Sequence, residues 1–184
     1  MSDEAETLCT RAGVGDLAAA SELVGLHYEQ IFAYFRRLCG HEDDAADLTQ
    51  KTFFKVWVSL GSYQRRSRFS TWLHGIAHHV YVDWRREKNF ADGRSDQWWE
   101  SCAADGPSPF EDASERDAAR QLYALVDQLD DDARETIHLH YYQELSLAET
   151  AEVMVVSTGT VKYRLRGALD HLRSRLAEPK LGTH

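Results

Sequence analysis

Residues 145–176 constrain the fold of this chain more than any other stretch. Ser146 and Glu149 have the spacing of a capping box, in which each side chain satisfies a backbone N–H at a helix N-terminus. We predict a short helix there, a turn near Val155, and a second helix that Ser157 caps and that runs to the end of the stretch. Two helices and a tight turn predict a helix-turn-helix motif with the recognition helix second.

The predicted second helix has two faces of opposite character. Apolar side chains recur at helical spacing on the face that we expect to be buried: Val161, Leu165, Ala168, Leu172 and Leu176. The opposite face carries Gly159, Lys162, Tyr163 and Arg166. Two cations and a phenol on an outward face suit contact with DNA. The alternative is an αα-hairpin whose basic face is only solvated, because cations are common on protein surfaces.

Length and composition favour a helical protein. The chain has 184 residues, enough for one medium domain or two small ones, with 43% hydrophobic residues and only three prolines. No stretch approaches the roughly 20 apolar residues that span a bilayer, and the acidic start MSDEAE is not a signal peptide. Cys9, Cys39 and Cys102 are too widely spaced for a disulfide framework or a zinc knuckle. We therefore predict a soluble, cytoplasmic protein with no cofactor and no direct membrane contact.

The net charge of −9 is unevenly distributed along the chain. Residues 91–128 carry nine acidic and three basic side chains, and the glycines and prolines among them predict an acidic flexible linker over residues 91–112. Two basic patches remain, at residues 61–88 and 160–175. Patches this small predict weak binding to DNA alone, so a larger partner should supply much of the affinity.

The first ninety residues predict a helical bundle. Residues 16–38 form one helix that Gly40 ends, and acidic residues from Glu42 suit the first turn of the next. Along that next helix an apolar stripe runs beside a mixed stripe of Asp47, Lys51, Phe54 and Val58. The mixed stripe either meets another helix of the same domain or docks a partner.

A further helix is predicted from Phe69 to about Lys88, after a basic loop at residues 61–68. We expect its buried stripe to consist of Leu73, Ile76, Ala77, Val80 and Trp84. We expect its outer stripe to consist of His74, His78, Tyr81 and Arg85. Basic residues interleaved with aromatics suit single-stranded nucleic acid, because bases stack and phosphates pair. The alternative is that the aromatic residues belong to the core.

Three ordered segments make the chain resemble the bacterial sigma factors of the extracytoplasmic-function (group IV) type. They are DLTQKTFFKVW at residues 47–57, FSTWL with IA and DWRR at residues 69–86, and LS, AE and VSTGTVKYRL at residues 145–165. Three segments in matching order are far more specific than a lone helix-turn-helix. The resemblance implies an all-α fold of two small helical domains, at residues 1–90 and 113–184, joined by the acidic linker, and no enzymatic activity.

The resemblance also implies three interfaces. One would dock on the β′ clamp helices of core RNA polymerase: Asp47, Gln50, Lys51, Phe54 and Trp57. A second would open and read the promoter −10 element: Tyr63, Arg65, Arg66, Arg68, Trp72, His78, His79, Asp83, Arg85 and Arg86. A third would read the −35 element in the major groove: Ser157, Thr158, Thr160, Lys162, Tyr163, Arg164 and Arg166. Contact with the polymerase β flap and restraint by an anti-sigma factor are implied as well.

Two other functions stay open on the sequence alone. A stand-alone two-domain helix-turn-helix transcription regulator would bind an operator without polymerase. A metal-dependent helical enzyme could use His74 and His78, which have chelating i, i+4 spacing but no accompanying HExxH pattern and no nearby cysteine. One departure from the family is local: Val155 stands at the position of a usual turn glycine, so a positive φ there would strain a β-branched residue.

Overall fold

The computed structural model describes residues 2–91 and 121–177, and the regular structure within those two ranges is entirely helical. This confirms the predicted all-α fold. The first range is an N-terminal bundle of four helices and one 3₁₀ turn: α1 (Ser2–Gly13), α2 (Leu17–Cys39), α3 (Glu42–Ser59), the 3₁₀ turn (Leu60–Ser62) and α4 (Phe69–Ala91). The predicted linker at residues 91–112 lies almost wholly outside the described residues.

Local capping chemistry fixes the ends of α2. Asp16 precedes the helix, and its carboxylate accepts a hydrogen bond from the backbone N–H of Ala19 at 3.1 Å. Gly40 follows the helix with a φ of 75°, a left-handed conformation that glycine adopts without steric cost, and its N–H donates to the Arg36 carbonyl. The chain can therefore reverse sharply, and α3 packs back against α2.

The second range is a C-terminal helical domain. Its elements are α5 (the helical residues 121–127), α6 (Asp131–Ile137), a π-helical turn (His138–Tyr142), α7 (Leu147–Val153) and α8 (Thr158–Ala177). The capping box at the start of α7 is confirmed: Glu149 N–H donates to Ser146 Oγ at 3.2 Å, and Ser146 N–H donates to the Glu149 carboxylate at 2.9 Å. Ser157 caps α8, where its Oγ accepts from Thr160 N–H at 3.0 Å.

The turn between α7 and α8 contains Val155 in the left-handed region, with a φ of 55°. Its side chain is 73% exposed, so little packing offsets the conformational strain. The positive φ considered from the sequence at this position is therefore observed. The helix-turn-helix keeps its geometry even though the turn carries a β-branched residue.

Two hydrophobic clusters hold the molecule together. One fills the N-terminal bundle around α2, with Ile31, Tyr34, Phe35 and Leu73 all fully buried. The other lies within the C-terminal domain, where α6 and α8 pack: Val126, Leu129, Ala133, Ile137, Ala151, Val161, Leu165, Ala168 and Leu172. Leu139, Leu145, Val153 and Met154 of the C-terminal domain belong to the first cluster, so the two domains are docked on one another.

The docking corrects one prediction about α4. The stripe of His74, His78, Tyr81 and Arg85 was expected to face outward, but His74, His78 and Tyr81 are buried and Arg85 is half-buried. The prediction that these four residues share one face of α4 was right. The C-terminal domain covers that face. The opposite error occurs at Leu176, which was expected on the buried stripe of α8 and is 50% exposed.

Candidate functional site

The exposed face of α3 holds all five residues expected to dock on polymerase. Asp47, Gln50, Lys51, Phe54 and Trp57 are exposed, while the other face of the helix buries Leu48, Phe53 and Val56 in the core. Phe54 is 69% exposed and Trp57 is 42% exposed. Large apolar side chains that are left in water, with charged residues around them, are typical of a surface that binds another macromolecule.

An open apolar groove extends this surface towards α4. It lies between the two helices and is lined by Phe54, Lys55, Val58, Ser59, Ile76 and His79. His79 belongs to the residues expected to contact the −10 element, so the groove joins the α3 face to that set. Val58 is 69% exposed and enlarges the apolar patch.

Aromatic packing anchors the basic loop between the 3₁₀ turn and α4. The Tyr63 ring lies 4.9 Å from the Trp72 ring and 5.8 Å from the Phe69 ring, centroid to centroid. The Tyr63 hydroxyl donates to the Ser67 carbonyl at 2.7 Å across the loop. Phe69 is buried, whereas Tyr63 and Trp72 are only half-buried, so these two rings are partly available for stacking.

The loop arginines Arg65, Arg66 and Arg68 are exposed. Arg65 has a positive φ of 55° and donates to the Thr10 hydroxyl of α1, which holds this part of the loop against the bundle. Arg68 lies 3.9 Å from the carboxylate of Glu149 on α7. The loop thus presents positive charge beside two partly open aromatic rings, a combination that suits contact with an unpaired strand.

The remaining residues that were expected to contact the −10 element lie on α4 and divide into an open group and a covered group. His79, Asp83 and Arg86 are exposed, and Asp83 lies between Arg86 and Lys55 at 3.8 and 3.7 Å. His78 and Arg85 point towards the C-terminal domain. Arg85 Nη1 lies 3.4 Å from carboxylate oxygens of both Asp131 and Asp132.

The two histidines considered as metal ligands make other contacts. His74 Nδ1 lies 2.7 Å from the Ser70 carbonyl oxygen, and its Nε2 lies 3.2 Å from Gln143 Oε1. Burial lowers the pKa of His74, which favours its neutral form. His78 Nδ1 lies 2.7 Å from Glu135 Oε1. Their hydrogen bonds account for the burial of these imidazoles without a metal, and the described residues contain no group of three or more His, Cys, Asp or Glu side chains placed to hold one.

The recognition helix α8 presents an open outward face. Lys162, Tyr163 and Arg166 are exposed, Tyr163 to 80%, and Ser157 and Thr158 are exposed at the helix start. Thr160 is half-buried, and its hydroxyl lies 2.9 Å from the Ser157 hydroxyl. Arg164 is half-buried and forms an ion pair with Asp132 of α6. We infer that Arg164 braces α8 against α6.

Comparison with known proteins identifies the family to which this chain belongs. Residues 23–90 match Sigma-70 region 2, and residues 125–174 match Sigma-70, region 4. The chain is 30% identical over 181 residues to the ECF RNA polymerase sigma factor SigE of Mycolicibacterium smegmatis, covering 96% of this chain and 70% of SigE. It belongs to the extracytoplasmic-function sigma factors. It therefore binds core RNA polymerase and directs promoter-specific initiation of transcription.

Further similarities agree with this assignment. The sigma factor is 28% identical over 172 residues to SigW of Bacillus subtilis, covering 89% of this chain and 92% of SigW. Its fold is shared with the sigma factor RpoE of Bartonella quintana, solved in complex with the anti-sigma factor NepR, with a TM-score of 0.73 at 22% identity over 87% of this chain and 98% of RpoE. CnrH, solved with the cytosolic domain of CnrY, has a TM-score of 0.70 at 25% identity over 96% of this chain and 99% of CnrH. None of the described helices is long and apolar enough to cross a bilayer.

Sequence reasoning missed the residues that meet the covered part of α4. Arg134 and Glu135 are 3% and 1% exposed, although charged residues in the first turns of a helix are usually solvated. The Arg134 guanidinium donates to the Tyr81 hydroxyl at 3.5 Å. The only sequence signal was the run of acidic residues that starts at Asp130, which fitted a helix N-terminus equally well.

Proposed function

We propose that two parts of this sigma factor have different functions. Residues 1–90 dock on polymerase and read the −10 element, and residues 113–184 read the −35 element. The observation that supports this best is the separation of exposed surfaces. A stripe of mixed charged and apolar residues lies on α3, a basic aromatic loop precedes α4, and a basic stripe lies on α8. The chain itself catalyses no reaction in this proposal, and it works in the cytoplasm.

The proposed polymerase-docking surface is the α3 face of Asp47, Gln50, Lys51, Phe54 and Trp57. Its carboxylate, amide and ammonium groups surround two large apolar rings, the usual composition of a protein interface with a hydrophobic centre and a polar rim. The β′ clamp helices are the expected partner of this face, and the β flap is the expected partner of the C-terminal domain. Burial of Phe54 would supply much of the binding free energy, because it is already mostly exposed in the free chain.

The proposed −10 site combines the loop at residues 63–68 with α4. Extruding a base from the duplex costs a few kcal/mol, which stacking and a preformed pocket must offset. Tyr63 and Trp72 are partly exposed rings held by mutual packing, so they need little reordering to accept a base. The loop arginines and Arg86 are exposed and would neutralise phosphates of the opened strand.

The proposed −35 site is the outward face of α8, which would lie in the major groove. Ser157 and Thr158 at the helix start can donate to a phosphate, where the helix N-terminus also favours negative charge. Lys162 and Arg166 lie four residues apart on one face, and such side chains can reach base edges or phosphates. A regulator of the anti-sigma class is a further proposed partner, since two structural relatives were solved with proteins bound.

Run-off transcription with core RNA polymerase tests the proposal. Adding the chain should produce defined transcripts from a promoter library, and core enzyme alone should not. Phe54→Ala should weaken binding to core polymerase by about 2 kcal/mol, roughly thirtyfold in Kd, because a buried aromatic anchor is lost. Leu17→Ala is the matched control, because Leu17 is 72% exposed and lies outside the α3 face. Equal polymerase affinities for the two variants would contradict the assignment of α3.

A further inference from the structure

The backbone of the basic loop before α4 is strained near its middle. Arg65 has a φ of 55°, in the left-handed region that residues with a Cβ rarely adopt. Such a conformation costs conformational free energy, and it persists only where the surrounding contacts favour it over the alternatives. The contacts of the Arg65 side chain are therefore informative about how this loop works.

The two ends of the loop are restrained by contacts of Tyr63. Its hydroxyl donates to the Ser67 carbonyl at 2.7 Å, and its ring centre lies 4.9 Å from that of Trp72. Its backbone N–H donates to the Leu60 carbonyl of the preceding 3₁₀ turn at 3.1 Å. These contacts restrain both ends of the loop, and residues 64–66 lie between them.

The middle of the loop is held by α1. The Arg65 guanidinium donates to the hydroxyl of Thr10, which belongs to α1 and lies 55 residues earlier in the chain. Thr10 also precedes the segment that matches Sigma-70 region 2, because that segment begins at residue 23. The restraint on Arg65 therefore comes from outside the segment by which this domain is recognised.

Helix α1 is itself fixed in place, so it can support the loop. Its inner face is buried in the core of the N-terminal bundle through Leu8, Cys9 and Ala12. At its end, the Arg11 guanidinium lies 2.7 Å from the carboxylate of Asp16, which also caps α2. The end of α1 packs against the 3₁₀ turn that leads into the loop. The Thr10 hydroxyl is therefore presented from a well-supported position.

The conformation of the loop matters for −10 recognition, because a loop that becomes ordered only on binding loses affinity. We propose that Thr10 is a positioning residue: its hydroxyl binds the Arg65 guanidinium and so holds residues 63–68 in the conformation that receives the opened strand. This inference rests on the proposed function of the loop and refines it. Arg65 anchors the loop to α1, whereas the exposed side chains of Arg66 and Arg68 contact the phosphates.

Holoenzyme assembled from core RNA polymerase and the full-length chain tests the proposal. The DNA is a promoter identified by run-off transcription, with mismatched bases over the −10 element so that this segment is already open. Two quantities are measured for each variant: the Kd for this premelted promoter, and the slope of log Kd against log salt. The Kd for core polymerase and the helical content from circular dichroism are measured in parallel.

Thr10→Val removes the hydroxyl and keeps the shape of the side chain. We expect it to raise the Kd for the premelted promoter about threefold, the effect of losing one exposed hydrogen bond. The salt slope, the Kd for core polymerase and the helical content should stay unchanged, whereas a purely structural role of Thr10 would alter the last two. Thr10→Ser is the matched control, because it keeps the hydroxyl and should bind as the wild-type chain does.

Arg65→Ala distinguishes an anchor from a phosphate contact. Alanine keeps the Cβ, so the backbone is strained as before and only the guanidinium is lost. We expect the Kd to rise about threefold at an unchanged salt slope, and we expect Thr10→Val to add nothing further in the double variant. Arg66→Ala should instead reduce the slope by about 0.7, the contribution of one phosphate on a single strand, and its effect should add to that of Thr10→Val.

Three results would overturn the positioning role of Thr10. They are wild-type affinity in Thr10→Val, binding by Thr10→Ser that is as weak as that of Thr10→Val, and a salt slope in Arg65→Ala that falls as much as in Arg66→Ala. Failure of the proposed function has a different signature: run-off transcription yields no promoter, or Arg66→Ala changes neither the Kd nor the slope. A chain that passes those two checks but does not respond to Thr10→Val refutes only the positioning role.

Discussion

Replacing Val155 by glycine should stabilise this sigma factor, although the substitution removes an apolar side chain. Val155 has a φ of 55° in the turn between α7 and α8. An L-residue in the left-handed region is destabilised by about 1–2 kcal/mol, and a β-branched residue lies at the upper end of that range. Glycine adopts the same conformation without this steric cost.

Two opposing effects reduce the gain. Glycine loses more conformational freedom on folding, which costs about 0.5–1 kcal/mol. The Val155 side chain is 73% exposed, so its removal forfeits only about a quarter of the roughly 2 kcal/mol that full burial of such a side chain contributes. The net expectation is a stabilisation of about 0.5–1 kcal/mol. Val155→Asn should also stabilise, because asparagine tolerates the left-handed region and avoids the entropic cost of glycine.

Urea denaturation followed by circular dichroism measures the effect as a shift of the unfolding midpoint at constant slope. Val14→Gly is the control, because Val14 is 85% exposed and does not have a positive φ. We expect the control to lose about 0.5–1 kcal/mol through chain entropy alone. If Val155→Gly were destabilised as much as Val14→Gly, the strain assigned to the turn would be refuted.

Three further predictions concern the C-terminal domain. Ser146→Ala should cost about 1 kcal/mol of unfolding free energy, because it removes half of the capping box; Ser146→Asp should retain most of the stability in the same urea assay. Lys162→Ala with Arg166→Ala should reduce the slope of log Kd against log salt for promoter DNA by about 2 without changing the urea midpoint, because both side chains are exposed. Burial lowers the pKa of His138 from 6.5 to about 3. Below pH 6.5 the unfolded chain therefore binds more protons than the folded chain does. The folding stability contributed by this residue then falls as the pH decreases towards 3. His138→Phe should therefore reduce the loss of stability between pH 7.5 and pH 5.5 by about 1.4 kcal/mol, and an unchanged loss would contradict the burial effect.

Features that depend on a few neighbouring residues could be read directly from the sequence. The capping box at Ser146, the stop at Gly40 and the buried stripe of α8 from Val161 to Leu172 are all observed. Each is set by backbone geometry within one or two helical turns, so distant parts of the chain have little influence. Helix α1 was not predicted from the sequence, because its buried residues Leu8, Cys9 and Ala12 form too short a pattern.

Features that depend on contact between the domains could not be read in this way. The spacing of His74, His78 and Tyr81 predicted a shared face of α4 correctly, but nothing in that spacing says what covers the face. Glu135 has the appearance of a solvated residue near a helix start, and its burial depends on Tyr34, which lies 101 residues earlier. The mixed stripe of α3 was easier to recognise, because Phe54 and Val58 interrupt an otherwise polar stripe, but its spacing left open whether it meets another helix or a partner.

The outward face of α8 lies outside the interface that covers α4. Lys162, Tyr163 and Arg166 remain open to solvent while His78 is buried against Glu135. The two promoter elements would therefore be engaged at different times: a closed molecule can already bind the upstream element, whereas His78 and Arg85 become available to the downstream element only after the domains separate. The order in which the two promoter elements are bound, as well as the affinity for them, would then distinguish productive binding at a promoter from a chance encounter with DNA.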